Sequence, residues 1–459
     1  MDQKKVRPFG VRDQFGYVLG DMAGSFVNLF VDAYFLTFCT YVLGISPAWM
    51  AGLFLVARLW DAINDPIMGS FPDRWTIGKS GDKFKPWIKL FMVPLALSGV
   101  LCFVNVPFEG IALHAWVAFA YIAYGMSYTG TSMPFGAMAN VVSADPIERS
   151  KLSRARSIGG TIVGIGAISI VPVVCFDKDS NIIPERFAMI AVVFGVLCVI
   201  SYLLLCYLTP ERIHQNKVEG EKFNYSAVLK AAIKNRPLIG VMVATIGSML
   251  FITGSNQLRS YIYKEVYHST EMMTLASVGT LPIMIICFIL VPKIVKKFGK
   301  RSVILAMSAF NLVVSTYILF VRIEDAFAYT ILTLIATSGQ TAFMILIWAL
   351  VSDCLDYSDW KMNIRADGSM YSLYTFSRKI GSTIASTGAA SALAAIGYVS
   401  GVNAIQSAST VSNIYYLVNA VPVVTCVLEL VGIGLIFNLT KGETEKMYAE
   451  LKARREAAK

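Results

Sequence analysis

Apolar runs of about 20 residues or more recur twelve times along this chain, with short polar segments between them. At 1.5 Å per residue, each run is long enough to cross the hydrocarbon core of a bilayer as a helix. The runs fall at about residues 16–43, 48–71, 87–106, 111–139, 155–175, 187–208, 238–266, 272–292, 302–321, 326–352, 368–396 and 413–438. In lipid the backbone must satisfy its own hydrogen bonds, which makes helix the natural reading for all twelve. The longest polar break, 209–237, opens on Thr209-Pro210-Glu211 and closes on Asn235-Arg236-Pro237. It separates a six-helix half at 1–208 from a second at 238–438, and a charged tail at 439–459 reads as a short solvated helix. The expected fold is an all-α membrane protein with 12 transmembrane helices in two six-helix halves. A weak echo links the halves: Lys83-Phe84-Lys85-Pro86 joins the second and third runs, and Lys297-Phe298-Gly299-Lys300-Arg301 joins the eighth and ninth. Paired halves with a binding site at the midplane are a common transporter plan.

Composition agrees with the pattern. The 459 residues are 56% hydrophobic and 15% charged, where a soluble chain carries about 25%. A net charge of +10 raises the question of nucleic acid, but its placement answers it. Lys and Arg crowd into the N-terminus, the loops near 74–85, 149–154 and 293–301, the 209–237 linker and the tail, while the loops near 44–48, 106–112 and 397–412 carry neither. Lys178, Arg186 and Arg322 are short exceptions to this positive-inside pattern, which puts both termini and the linker in the cytoplasm. The first residues are polar and basic, no cleavable apolar leader is expected, and a multi-pass membrane protein is the expectation. The eight scattered cysteines read as small hydrophobes. No Walker loop, GxSxG, HExxH or His/Cys metal spacing is present, so no enzyme activity and no cofactor are expected. His114, His214 and His268 lie at or outside the span edges, which argues against a deep histidine proton relay.

The informative residues are the polar ones inside the apolar runs. The second run reads Ala57-Arg58-Leu59-Trp60-Asp61-Ala62-Ile63-Asn64-Asp65-Pro66, and steps of three and four place Arg58, Asp61, Asn64 and Asp65 along one side of a helix. A charge near the bilayer centre costs about 2.5–3.5 kcal/mol, so such a group needs pairing, water or a bound ion. Two carboxylates against one arginine leave a negative excess suited to a cation; the bland alternative is an Arg58–Asp61 pair that only joins helices. In the first run Asp21, Ser25, Asn28 and Asp32 share a face, either lining a cavity or bonding helix to helix. In the fourth, Tyr128, Ser132 and Gly136 share a face beside Pro134, and the fifth opens with Arg154 and Arg156. The tenth carries Gln340, Thr341 and Trp348, whose ring suits a sugar face or simple packing. In the eleventh, with Tyr371, Tyr374, Thr375 and Ser382, the cations Arg378 and Lys379 lie about 15 Å deep, too far for easy snorkelling. The seventh adds Ser255, Asn256, Gln257 and Arg259 towards its outer half. Asp353, Asp356 and Asp359, followed by Arg365, end the tenth run and form either a cytoplasmic gate, with Arg149 or Arg301 as partners, or a static surface cluster.

The second-run motif, followed by Gly81-Asp82-Lys83-Phe84-Lys85-Pro86-Trp87, resembles the glycoside–pentoside–hexuronide:cation symporter family of the major facilitator fold. So does Asp356-Tyr357-Ser358-Asp359-Trp360-Lys361 with Arg365, Gly368 and Ser377-Arg378-Lys379, and the likeness covers nearly the whole chain. The resemblance implies a cation site at Asp61, Asn64, Asp65 and Thr129, with Na⁺ or H⁺ as the coupling ion and Asp61 and Asp65 as the ligands of a sodium ion. It implies sugar binding at Asp21, Tyr128, Arg156, Trp348 and Lys379. Melibiose permease, a member of that family, has a carboxylate where this chain has Ser132 and a tryptophan where it has Gly136. The neutral residue at 132 and the Arg378-Lys379 pair are more similar to the glucuronide and sulfoquinovose transporters. The expectation is cation-coupled symport of an anionic sugar or glycoside by a monomer, with a neutral glycoside or pentoside, or a lysolipid carried on the same fold, as rivals. With the family resemblance, the membrane is expected to be a bacterial cytoplasmic membrane.

Overall fold

The computed structural model describes residues 7–75, 77–78, 81–143, 145–177, 181–213, 234–362, 367–402 and 404–457. Those residues fold into twelve long helical runs and a tail helix, and the first four are Val11–Tyr41, Pro47–Arg74, Lys85–Leu101 and Gly110–Val142. The fifth runs through Pro146–Thr161, a π-helix at Ile162–Ala167 and Ile168–Cys175, and the sixth is Pro184–Leu208. The seventh runs through Arg236–Met249, a π-helix at Leu250–Gly254 and Ser255–Glu265; the eighth comprises Thr270–Val278 and Thr280–Phe298. The ninth, tenth and eleventh are Lys300–Phe320, Ala326–Met362 and Asp367–Ala395. The twelfth joins Ala408–Glu429 to a π-helix at Leu430–Ile436, and the tail helix is Lys441–Ala457. Local chemistry sets several starts. Ser46, Ser269 and Ser407 each accept from a backbone N–H three residues on, and Pro47 takes the first helical position, where its missing donor costs nothing.

Among the described residues, nine helices are long and apolar enough to cross a membrane by length and composition. The second, third and eleventh helices fall outside that set. The second holds Arg58, Asp61 and Asp65, the third is 17 residues long, and the eleventh holds Arg378 and Lys379. The second helix shows how such a span tolerates charge. Leu55, Val56, Leu59, Trp60, Ile63 and Ile67 form its exposed side, while Leu53, Phe54, Ala57, Asn64 and Met68 are buried. Arg58, Asp61 and Asp65 are partly buried beside that inner face, so the apolar surface is left to lipid and the polar groups to the protein interior.

The chain forms two compact units. The first is Met1–Glu219 with Val399–Ile405, and the second is Gly220–Tyr398 with Gln406–Lys459. Aromatic packing dominates the first. Phe30 stands 4.2 Å from Phe103 by ring centroids, and Phe35 stacks on Tyr121 at 4.9 Å. One end of this unit is tied by buried acids. Asp13 receives Arg7 at 2.9 Å and Arg212 at 3.0 Å, and Glu211 accepts the backbone N–H groups of Lys83, Phe84 and Lys85 at 2.7–2.9 Å. Those three amides open the third helix, where a carboxylate meets the positive end of the helix dipole. The second unit has a hydrophobic core around Leu238, Ile304, Phe343, Ile347 and Ile433 that extends to Met447 and Leu451 of the tail helix. Asn235 caps its first helix by accepting from Leu238 N–H at 3.0 Å, while its amide donates to the Cys354 carbonyl and the Ser358 hydroxyl.

Candidate functional site

In the first unit the polar residues of three helices converge. The second helix places Arg58 between two carboxylates, 3.7 Å from Asp32 of the first helix and 3.7 Å from Asp61 of its own. Asn28 donates to Asp32 at 3.0 Å and accepts from the Tyr124 hydroxyl of the fourth helix at 2.7 Å. Asp61 faces the fourth helix at Gly125, where a side chain would begin 3.4 Å from its carboxylate. One turn along, Asp65 accepts from the Thr129 hydroxyl at 2.9 Å. Asn64 is buried, and its amide nitrogen lacks a hydrogen-bond partner. The structure therefore brings Thr129 to Asp65 and keeps Asp61 and Asn64 within about one turn of Asp65 on the second helix, and their oxygen atoms are of the kind that hold a hard cation.

A second cluster lies on the first and fifth helices. Arg156 donates its Nε to Asp21 at 2.8 Å, with its guanidinium over the Phe135 ring at 5.1 Å. Two glycines make this approach possible. A Cβ on Gly159 would stand 2.3 Å from the Val18 carbonyl oxygen, and one on Gly160 would stand 2.7 Å from the Asp21 carboxylate. Gly136 faces the Arg156 guanidinium from the fourth helix, where a Cβ would begin 3.6 Å from Nη1. The small residue leaves space beside the arginine that a large aromatic would fill. Ser132 and Tyr128 are half-buried on the same helix.

In the second unit the polar groups are of another kind. Gln340 is buried and donates its amide to the Ser248 hydroxyl, and its carbonyl oxygen lacks a partner. Trp348 is exposed and packs edge-on against buried Tyr374, with ring centroids 5.4 Å apart; the Arg378 guanidinium lies 6.0 Å from the indole centroid. Lys379 is exposed one residue further along the eleventh helix. A flat ring with a cation above it suits a sugar ring bearing an acid group.

Asp353, expected beside Arg149 or Arg301, has another partner. Asp353 is buried and binds Lys300, at 2.6 and 2.7 Å, and the Tyr448 hydroxyl of the tail helix. Arg301 instead donates to the carbonyls of Ile433 and Gly434, and Arg149 donates to Asn140 at 3.1 Å. One residue on a helix is a rotation of about 100°, which is why Lys300 rather than Arg301 reaches the acid. Burial and the neighbouring Asp353 push the Tyr448 phenol up from its ordinary range. Asp356 and Asp359 are half-buried further along the tenth helix, and Arg365 lies outside the described residues.

Several residues here carried no sequence expectation: Tyr124, Ser248, Lys300 as the partner of Asp353, and the tail-helix Tyr448. A hydroxyl or lysine on another helix has no spacing signal that ties it to its acid.

The sequence matches the family described as MFS/sugar transport protein over residues 16–441. The uncharacterized symporter YjmB of Bacillus subtilis is 30% identical over 96% of this chain and 95% of its own length. The putative sulfoquinovose importer of Escherichia coli is 28% identical over 97% of this chain and 94% of its own. The crystal structure of a D-xylose–proton symporter superposes with a TM-score of 0.61 at 14% identity, covering 91% of this chain and 97% of that one, which is a likeness of fold.

Proposed function

The chain belongs to the MFS/sugar transport protein family, a family of multi-pass membrane transporters rather than enzymes, and from that premise we propose a secondary active symporter that couples a sugar or glycoside to Na⁺ or H⁺ by alternating access. The substrate is an anionic sugar, such as a hexuronide, a glucuronide or a sulfosugar. The membrane is a bacterial cytoplasmic membrane with both termini inside, a reading supported by the distribution of Lys and Arg.

The observation that carries cation coupling is the charge balance of the first unit. Arg58 and Arg156 stand against Asp21, Asp32, Asp61 and Asp65. Two arginines against four aspartates leave an excess of carboxylate in an apolar span, and a bound cation or proton offsets it. Asp61, Asn64, Asp65 and Thr129 are the ligands. Cation and sugar couple if each favours the same state of the protein, so that the two affinities rise together.

The anionic preference rests on Arg378, Lys379 and the neutral residue at Ser132. Arg156 contributes hydrogen bonds but no net charge, because Asp21 neutralises it. That pair favours a second reading, in which Asp21 and Arg156 bind the hydroxyls of a neutral glycoside or pentoside. Uptake of a radiolabelled glucuronide and a neutral glycoside into proteoliposomes, under imposed Na⁺ or H⁺ gradients, separates the two. Accumulation of the glucuronide alone is expected. Accumulation of the neutral glycoside alone would remove the anionic assignment, and movement of neither would remove both sugars and bring other sugars, then a lysolipid, forward.

A further inference from the structure

The twelfth helix carries a single acid within its apolar length. Glu429 is the last residue of Ala408–Glu429, and the π-helix Leu430–Ile436 begins at the next. It is fully buried. One carboxyl oxygen accepts from the Ser308 hydroxyl of the ninth helix at 2.6 Å, and the other has no hydrogen-bond partner. One turn along the ninth helix, the Asn311 amide nitrogen is also buried without a partner, while its oxygen accepts from Ser315 at 2.9 Å. Backbone closes the region on another side. Gly240 and Gly432 lie so close that a Cβ on either would stand 2.5 Å from the other's carbonyl oxygen.

The charged residues on the helices packed against this one are Arg236, Arg259, Lys264 and Glu265 of the seventh and Lys300 and Arg301 of the ninth. All are engaged elsewhere. Lys300 holds Asp353, Arg259 donates to Ser277, and Lys264 lies beside Glu265. Arg236 donates to the carbonyls of Leu435 and Ile436, and Arg301 to those of Ile433 and Gly434. A carboxylate with one hydroxyl donor and no cation is worse off in a protein interior than the neutral acid, which leaves at most one hydroxyl unpaired.

We propose that Glu429 is a proton-binding site within the second unit, holding a proton in this arrangement and releasing it to water during the transport cycle. Release is tied to the π-helix, because Arg301 donates to the carbonyls of Ile433 and Gly434, which follow Glu429 by about one turn. Ionised Glu429 offers that guanidinium a charged acceptor in place of neutral carbonyls. Arg301 and Arg236 tether the carbonyls at 433–436, so drawing Arg301 towards Glu429 loosens the π-helix between them. π-Helical segments within α-helices recur at functional positions. Proton state and the shape of the twelfth helix are thereby linked. The place of this proton in a cycle rests on the transporter reading; the binding of the proton does not.

Infrared spectra of the full chain in proteoliposomes, recorded from mildly acidic to alkaline pH with and without a glucuronide, test the site. The expected result is a protonated-carboxyl band that is absent in Glu429→Gln, disappears as pH rises, and has a midpoint that moves when the sugar is added. Ser308→Ala, which removes the hydroxyl donor, moves the midpoint of the same band, and this keeps the test sharp if Glu429→Gln fails to fold. In sugar counterflow, Glu429→Gln flattens a pH dependence that the native chain shows. A Glu429 band that stays constant at every pH, with and without sugar, would overturn the proposal and leave a permanently neutral structural acid. If the native chain moves no sugar, the transport reading fails while the infrared titration still decides the proton site.

Discussion

The two units solve the problem of polarity in lipid differently. In the first, carboxylates outnumber arginines, and the groups cross-link three helices: Asp32 to Arg58 to Asp61, Asn28 to Tyr124, and Asp65 to Thr129. In the second, the interior polar groups are amides, hydroxyls and aromatic rings, with Arg378 over Trp348, and of its buried acids Asp353 is held by Lys300 while Glu429 has only a hydroxyl donor. The contrast sets an array with a negative excess against one of rings and amides beside the cations Arg378 and Lys379. An array with an uncompensated negative excess is set up to be completed by a cation, whereas rings and amides recognise shape and hydroxyls.

The largest effect that can break this contrast lies in the second helix. Asp61→Asn or Asp65→Asn removes one unit of the negative excess while keeping size. Each is expected to lower cation affinity by at least tenfold and to abolish gradient-driven accumulation, while sugar exchange without a gradient persists. Isothermal titration with Na⁺, paired with counterflow, reads both. Unchanged accumulation in both variants would take the cation site away from the second helix.

Next comes the approach of the first and fifth helices. Gly159→Ala drives a methyl group against the Val18 carbonyl, and overpacking of that kind costs typically about 1–3 kcal/mol. A lower melting temperature and weaker sugar binding are both expected, because the Asp21–Arg156 pair depends on the same approach. Gly166→Ala on the same span meets nothing within 4 Å and serves as the control, with little change expected. Equal losses in the two variants would mean that the contact with the Val18 carbonyl does not decide, since alanine is the better helix former at both positions.

The twelve helices were legible in the sequence because hydrocarbon thickness fixes their length and the apolar runs are long. Their ends were less so. The tenth run was expected to stop near 352, yet the helix continues to Met362. The polar residues there read as a loop, but Asp353 is held by Lys300 and Tyr448, and Asn235 bonds both Cys354 and Ser358. Those partners lie far away in the chain. The residues proposed for the cation site were named as a set from the charged face of the second helix together with the family resemblance. That Arg58 bridges Asp32 as well as Asp61 was not legible, since spacing along one helix is silent about another. Glu429 had a signal, a lone acid in an apolar run, but its isolation shows only when the helices around it are in place.

A smaller effect tests how far the second unit acts through surface rather than charge. Trp348→Ala removes the ring that Tyr374 supports and Arg378 overlies. An aromatic contact is worth about 0.5–1.5 kcal/mol beyond its buried area, so sugar affinity is expected to fall roughly two- to tenfold with cation affinity nearly unchanged. Trp348→Phe restores most of it if stacking is the role. If instead the ring serves to hold Arg378 in place, Trp348→Phe and Trp348→Ala will weaken a glucuronide much more than a neutral glycoside.

At Thr129 the expected effect is a change of ion preference, with little change in sugar affinity. Thr129→Val keeps the shape and removes the hydroxyl that donates to Asp65, a bond worth about 1.5–3 kcal/mol when its acceptor is charged. Removing that donor has two opposed consequences. It withdraws an oxygen that would contact the bound ion, which weakens Na⁺, and it leaves Asp65 with less stabilisation of its charge, which favours a proton at that carboxylate. A shift of coupling preference from Na⁺ towards H⁺, larger than any change in sugar affinity, is the expected outcome of uptake measured under each gradient in turn. Equal losses under both gradients would mean that the hydroxyl merely orients the carboxylate and that the ion is held by Asp61, Asn64 and Asp65.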